Sequence, residues 1–115
     1  MDPVEFYNQA SRWFADASDQ RTVTARSVVS RAYYAAFLVA RDKAGITSKQ
    51  DVHLRTINHY RSAPHPGPVI ANKLEGLKDL RGRADYELTV SCLRREAGEA
   101  LKRSRALLIE LGITF

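Results

Sequence analysis

The sequence predicts an all-α protein in which four or five antiparallel helices form a bundle within one domain, 1–115. Apolar residues recur at spacings of three and four along most of the chain, which is the period of helices with one buried face. Residues that start or stop helices separate these segments, and no segment shows the apolar–polar alternation typical of a strand. A chain of 115 residues can bury a core without disulfides or a structural metal.

The first two helices are predicted from residues at their ends. Asp2 followed by Pro3 is typical of a helix N-terminus, and an apolar stripe then covers the first 17 residues. The second helix follows a cap at Thr22 or Thr24. It continues to Gly45, since no residue before this glycine breaks a helix.

Three more helices are predicted in the rest of the chain. Ser48 and Asp51 have the spacing of a capping box, which indicates a short third helix after them. The segment SAPHPGPV must be a loop, and Pro68 at its end suits the first turn of a fourth helix. Thr89 is a reasonable cap for the last helix, which ends at Gly112.

The composition indicates the cellular compartment of the protein and the kind of partner that it would bind. The chain has 18 Lys and Arg against 13 Asp and Glu, a net charge of +5 that favours encounters with polyanions such as nucleic acid. The single cysteine, Cys92, excludes an internal disulfide, and the first residues lack the pattern of a secretory signal. No segment has the roughly 20 apolar residues that cross a bilayer. We therefore expect a cytoplasmic protein that does not enter a membrane.

The motifs of common enzyme classes are absent from the sequence. It contains no glycine-rich phosphate loop and no His-Glu-x-x-His, and one cysteine cannot form a zinc cluster. His53 and His59 are six residues apart and lie on different faces of a helix, and His65 belongs to the proline-rich loop. We interpret these histidines as solvated or capping residues. We expect neither a metal nor a cofactor.

Two groups of residues remain as candidate sites. The first lies along one face of the second helix, at spacings of four and three. Its members are Ser27, Arg31, Tyr34, Leu38 and Arg41. The second is at the end of the fourth helix and consists of Arg81, Arg83, Asp85 and Tyr86. The planar fork of arginine suits phosphate and tyrosine can stack on a base, so both groups could line one groove. The same residues can also be explained without a ligand. Arg31 and Arg41 would then form a solvated face, Asp85 an internal salt bridge, and Tyr86 part of the core.

Tyr33 and Tyr34 are adjacent in the second helix, so their side chains diverge by roughly 100°. Tyr33 shares a side with Val29 and Phe37, which predicts that it lies in the core. Tyr34 shares a face with Arg31, which predicts that it meets a partner or lines a groove.

The segments SRAYYAAFLVARDKAG, VHLRTINHY and LRGRADYEL resemble, in this order, the HEPN family (higher eukaryotes and prokaryotes nucleotide-binding domains). The resemblance extends from about Ala25 to Leu107. It implies an up-and-down bundle of four or five helices, commonly a homodimer. Such proteins are often encoded beside a minimal nucleotidyltransferase as one half of a toxin–antitoxin pair. In active HEPN ribonucleases, an Arg-x(4–6)-His motif from each of two subunits cuts RNA without metal.

The ribonuclease motif is incomplete in this chain. Arg81 matches its arginine, but the residue five positions later is Tyr86, and no histidine follows. Tyrosine has a reference pKa of about 10, roughly three units above the value that suits proton transfer at neutral pH. Asp85 would be held ionised by the neighbouring arginines, which makes it a weak base. We therefore favour binding over efficient cleavage.

Three functions follow from these residues. The favoured one is a HEPN-type module that binds RNA or a nucleotide, or acts with a nucleotidyltransferase partner. Its binding residues would be Arg31, Tyr34, Arg41, Arg83 and Asp85, with Arg81. The second is a metal-independent endoribonuclease toxin that uses Arg81 and Tyr86, with His53 or His59 as further candidates for proton transfer. The third is a protein-interaction or dimerisation module that binds no nucleic acid.

Overall fold

The computed structural model describes residues 2–16, 22–86 and 94–115, without the side chains of 16, 22–24, 84–86 and 94. The prediction of an all-α protein is confirmed, because this part of the chain contains five helices and no strand. The helices are α1 (Pro3–Asp16), α2 (Thr22–Ala44), α3 (Val52–Arg61), α4 (Gly67–Tyr86) and α5 (Arg94–Glu110).

Four helix ends lie where the sequence predicts them. The carboxylate of Asp2 accepts a hydrogen bond from the backbone N–H of Val4 at 3.0 Å, which caps α1. Gly45 follows α2 with φ 72° and Gly112 follows α5 with φ 94°, a left-handed conformation that favours glycine. Pro68 lies in the first turn of α4, where its missing N–H leaves no helical hydrogen bond unmade.

The start of α3 differs from the prediction. The helix begins after Asp51, which has φ 51° and makes no capping hydrogen bond with its side chain. Ser48 instead accepts a hydrogen bond from the backbone N–H of Gln50, at 3.2 Å, and so shapes the preceding turn. A serine hydroxyl can serve a cap or a turn equally well, so spacing alone does not distinguish the two. The predicted cap at Thr89 lies outside the described residues.

Helix α3 runs in the same direction as α2, which interrupts the predicted alternation of helix directions. His53, near the start of α3, contacts Tyr33, while the hydroxyl of Tyr60, near its end, donates to the carbonyl oxygen of Ala40 at 2.7 Å. Residues 45–51 therefore return along α2, and seven extended residues can span about 23 Å. Helix α4 then runs opposite to both, because its first residue packs on Tyr60 and Arg81 near its end reaches Tyr33.

Helix α2 lies at the centre and packs against each of the other four helices. Its alanines allow this close packing, because they add little bulk between helix backbones. The fully buried ones are Ala32, Ala35, Ala36 and Ala40. Leu74 and Leu77 of α4 and Leu107 of α5 fill the core, and each buried leucine contributes about 1.5–3 kcal/mol. A buried hydroxyl also joins two helices, because Ser104 donates to the carbonyl oxygen of Ala32 at 2.7 Å.

Candidate functional site

Tyr33 forms the buried base of the candidate site. Its exposed fraction is 0%, which confirms the prediction that it belongs to the core. Its hydroxyl oxygen lies 2.5 Å from Nδ1 of His53, and this hydrogen bond provides the partner that a buried hydroxyl requires. Burial raises the pKa of Tyr33 above its ordinary value, so the hydroxyl keeps its proton at neutral pH.

His53 lies at the edge of the core, where it packs on α2. Its ring stacks on Phe37, with 4.1 Å between the ring centroids and 14° between the planes. Burial lowers the pKa of His53, and the positive charges of Lys78 and Arg81 lower it further, so the ring is neutral at pH 7. A neutral ring that accepts the Tyr33 hydrogen at Nδ1 carries its own hydrogen on Nε2. The prediction of a solvated or capping histidine is therefore wrong for His53.

Arg81 joins the two groups of residues that the sequence singles out. The central carbon of its guanidinium lies 4.7 Å from the ring centroid of Tyr34 and 5.5 Å from that of Tyr33. These distances are typical of cation–π contacts. The planar guanidinium carries N–H donors of the kind that phosphate oxygens accept. We call Tyr33, Tyr34, Phe37, His53 and Arg81 the Tyr33 cluster.

Tyr34 also lines a second feature, an open groove between α1 and α2. The groove has a volume of about 280 Å³. It is lined by Trp13, Ser27, Ser30, Arg31 and Tyr34, and we call it the Arg31 groove. The guanidinium of Arg31 lies 5.1 Å from the ring centroid of Phe6 and 5.6 Å from that of Trp13. Tyr34 therefore belongs to both features, with one arginine in each.

Arg41 and Arg83 do not belong to either feature. Arg41 lies ten residues beyond Arg31, about 15 Å along α2, and pairs with the neighbouring carboxylate of Asp42 at 3.1 Å. Arg83 is exposed near the end of α4. The predicted roles of Asp85 and Tyr86 concern side chains outside the described part of the chain.

Lys78 is a residue of this region that the sequence analysis did not single out. It is exposed on α4, three residues before Arg81, and its charge acts on His53. The spacing could have indicated it, because residues three apart lie one above the other on a helix. Within residues 2–16, 22–86 and 94–115, no three His, Cys, Asp or Glu side chains converge to hold a metal.

Comparisons with protein-family models, with curated proteins and with solved structures give no match for this chain. Membership of the HEPN family therefore stays a prediction based on the sequence segments. The structure adds their relative position, because Tyr34 of SRAYYAAF contacts Arg81 of LRGRADYEL. No helix in the described ranges combines the length and the apolar character needed to cross a bilayer.

Proposed function

We propose that the chain is a HEPN-type module that binds RNA or a nucleotide through a surface centred on Tyr34. The observation that carries this proposal is that Arg31 and Arg81, from different helices, both lie beside this tyrosine. Two guanidinium groups can bind successive phosphates, and an aromatic ring between them can stack on a base. This combination is typical of proteins that bind single-stranded nucleic acid.

The charges around Tyr34 support an anionic ligand. Among the described residues, neither Arg31 nor Lys78 forms an ion pair with a carboxylate, whereas several other cations do. The paired cations include Arg41 with Asp42, Arg61 with Glu75, Lys73 with Glu110 and Arg103 with Glu99. The net charge of +5 would strengthen the attraction at low ionic strength.

Fluorescence anisotropy with labelled single-stranded RNA, and separately with a labelled nucleotide, tests the proposal. Replacing either arginine, in Arg31→Ala or Arg81→Ala, should weaken binding about tenfold or more, since hydrogen bonds to charged groups contribute about 1.5–3 kcal/mol. The matched control is Lys102→Ala, which removes an exposed cation from α5 and should leave affinity nearly unchanged. Equal affinity in all four proteins would overturn the proposed surface.

We also propose that the module acts as a homodimer within a prokaryotic toxin–antitoxin or nucleotidyltransferase-associated system. This part of the proposal rests on the resemblance to HEPN proteins. Light scattering coupled to size exclusion tests the dimer, with twice the chain mass of 12.9 kDa as the expected result. Co-purification with the nucleotidyltransferase encoded next to it, where one is present, tests the partner.

A metal-independent endoribonuclease is the second candidate function. It is favoured by His53, which lies near Arg81 and supplies an imidazole that α4 lacks. Incubation of RNA with the protein and a chelator separates the candidates. Cleavage that disappears in Arg81→Ala and Tyr86→Phe would support the ribonuclease, and binding without cleavage would support the binding module. If neither occurs, the protein-interaction or dimerisation module becomes the better hypothesis.

A further inference from the structure

Three side chains with nitrogen donors lie where α3 begins and α4 ends, beside the Tyr33 cluster. Because α3 runs parallel to α2 and α4 runs opposite to both, His53 at the start of α3 lies near the last turns of α4. Lys78 and Arg81 are one turn apart on that helix and lie on the same face. Arg81 is fixed over the two tyrosine rings, while Lys78 is exposed and can move toward a ligand.

The orientation of His53 is fixed by two contacts with α2. The hydroxyl of Tyr33 engages Nδ1, and the ring of Phe37 covers one face of the imidazole. The half-buried ring therefore has Nε2 as its N–H donor, directed away from the hydrogen bond with Tyr33. An imidazole held in this way is preorganised to donate a hydrogen bond from Nε2 to an acceptor.

The groups around His53 favour an anion beside it. From α2 it contacts the uncharged rings of Tyr33, Tyr34 and Phe37. From α4 the positive charges of Lys78 and Arg81 act on it, and Arg81 lies over the same two tyrosines. We propose that His53, Lys78 and Arg81 form a phosphate subsite, and that His53 takes up a proton when the phosphate binds. The inference rests on the proposed function insofar as the phosphate belongs to RNA or to a nucleotide.

The proton uptake follows from the change of charge at the site. In the free protein, burial and the two cations keep the imidazole neutral, with a pKa below its ordinary value. A bound phosphate places negative charge beside the ring, which favours the imidazolium form. The added proton binds Nδ1, and the Tyr33 hydroxyl turns so that its oxygen accepts this new N–H. Because binding and protonation are linked, affinity for the anion must then increase as the pH falls.

A 5′-hydroxyl oligouridylate is the appropriate probe, because its phosphodiesters keep the same charge between pH 6 and pH 8. Binding to the wild-type protein should be about threefold tighter at pH 6 than at pH 8, because the complex takes up a proton over this range. Nuclear magnetic resonance of the imidazole carbon-bound protons should show that saturating oligouridylate raises the pKa of His53. The resonances of His59 and His65 provide internal references in the same spectra.

Two variants isolate the subsite. His53→Asn places a non-titrating acceptor near the position of Nδ1, so the Tyr33 hydroxyl keeps a partner, and the pH dependence of binding should disappear. Lys78→Gln should weaken binding at both pH values and raise the pKa of His53 in the free protein, because one repelling charge is gone. The matched control is Lys102→Gln on α5, which should change neither quantity.

Sulfate, a dianion across this pH range, separates failure of the subsite from failure of the proposed function. If wild-type protein binds oligouridylate but His53→Asn keeps the pH dependence, the subsite is wrong and the binding module stands. If oligouridylate does not bind but sulfate raises the pKa of His53, the subsite stands and the proposed RNA binding is wrong. A pKa of His53 that neither ligand changes overturns the subsite.

Discussion

The Arg31 groove and the Tyr33 cluster place an arginine on aromatic rings in two different ways. In the groove, Arg31 of α2 rests on Phe6 and Trp13 of α1, and the remaining lining residues include serines. In the cluster, Arg81 of α4 rests on the tyrosines of α2, and a buried hydroxyl connects them to His53. Under the proposed function both features would bind phosphate, but only the cluster contains an imidazole, and burial lowers the pKa of this group. The comparison therefore separates a constant contribution to binding from one that depends on pH.

The largest difference should appear when the two adjacent tyrosines are removed in turn. Tyr33→Ala deletes a fully buried ring and should lower the free energy of unfolding by about 3–5 kcal/mol. Tyr34→Ala deletes a half-buried ring and should cost less than half as much. Urea denaturation of both variants measures these values. Equal losses would show that the two side chains share the core equally, contrary to the structure.

Removal of single hydroxyl groups should have an intermediate effect. Tyr33→Phe leaves Nδ1 of His53 without its donor, and Tyr60→Phe leaves the carbonyl oxygen of Ala40 without its donor. Each should destabilise the fold by about 1–2 kcal/mol, the usual result of leaving a buried polar group unpaired. The pair allows a comparison, because only Tyr33→Phe should also alter the pKa of His53. If only Tyr60→Phe lowers the stability, the hydrogen bond between Tyr33 and His53 does not stabilise the fold.

The pH dependence of stability should be a smaller effect with a definite sign. The pKa of His53 is lower in the folded protein than the unfolded reference value of 6.5, so the unfolded chain binds protons more readily in this range. The contribution of His53 to the free energy of unfolding is therefore present above pH 6.5. It is lost as the pH falls through the pKa that His53 has in the folded protein. Denaturation between pH 7.5 and pH 5 should show this loss in wild type and in His59→Asn. In His53→Asn the free energy of unfolding should change less with pH over this range. An unchanged pH dependence would show that it does not come from His53.

The smallest effect should come from Arg41, which lies outside both features. Arg41→Ala removes an exposed ion pair with a neighbouring residue, so the free energy of unfolding should change by less than about 0.5 kcal/mol. Affinity for RNA should match that of wild type at moderate ionic strength. A loss as large as that of Arg31→Ala would extend the proposed surface along α2, and anisotropy measurements would reveal it.

Local chemistry explains which parts of this fold could be predicted from the sequence. The helix ends at Asp2, Gly45 and Gly112 depend on a cap or a positive φ, which the residue itself determines. The different environments of Tyr33 and Tyr34 follow from the angle between neighbours on a helix. These features need no knowledge of how the helices are arranged.

The composition of the Tyr33 cluster could not be predicted in the same way. The contact between Tyr33 and His53 joins residues 20 positions apart and exists only because α3 runs parallel to α2. No residue between 45 and 51 specifies that direction, and a strictly alternating bundle would place His53 elsewhere. The sequence indicated Arg81 and Tyr34 as candidates by residue type, but their contact depends on the packing of α4 against α2.

Helix α3 is only ten residues long, which is too short to be stable alone in water. It is attached to α2 at both ends, by His53 to Tyr33 and by Tyr60 to Ala40. Local opening of this helix would release His53 and disrupt the proposed phosphate subsite while Arg31 and its groove stay in place. Amide hydrogen exchange in α3 should therefore be faster than in α2, and a ligand at the subsite should slow it. The stability of this short helix would then determine the fraction of molecules in which the proposed subsite is formed.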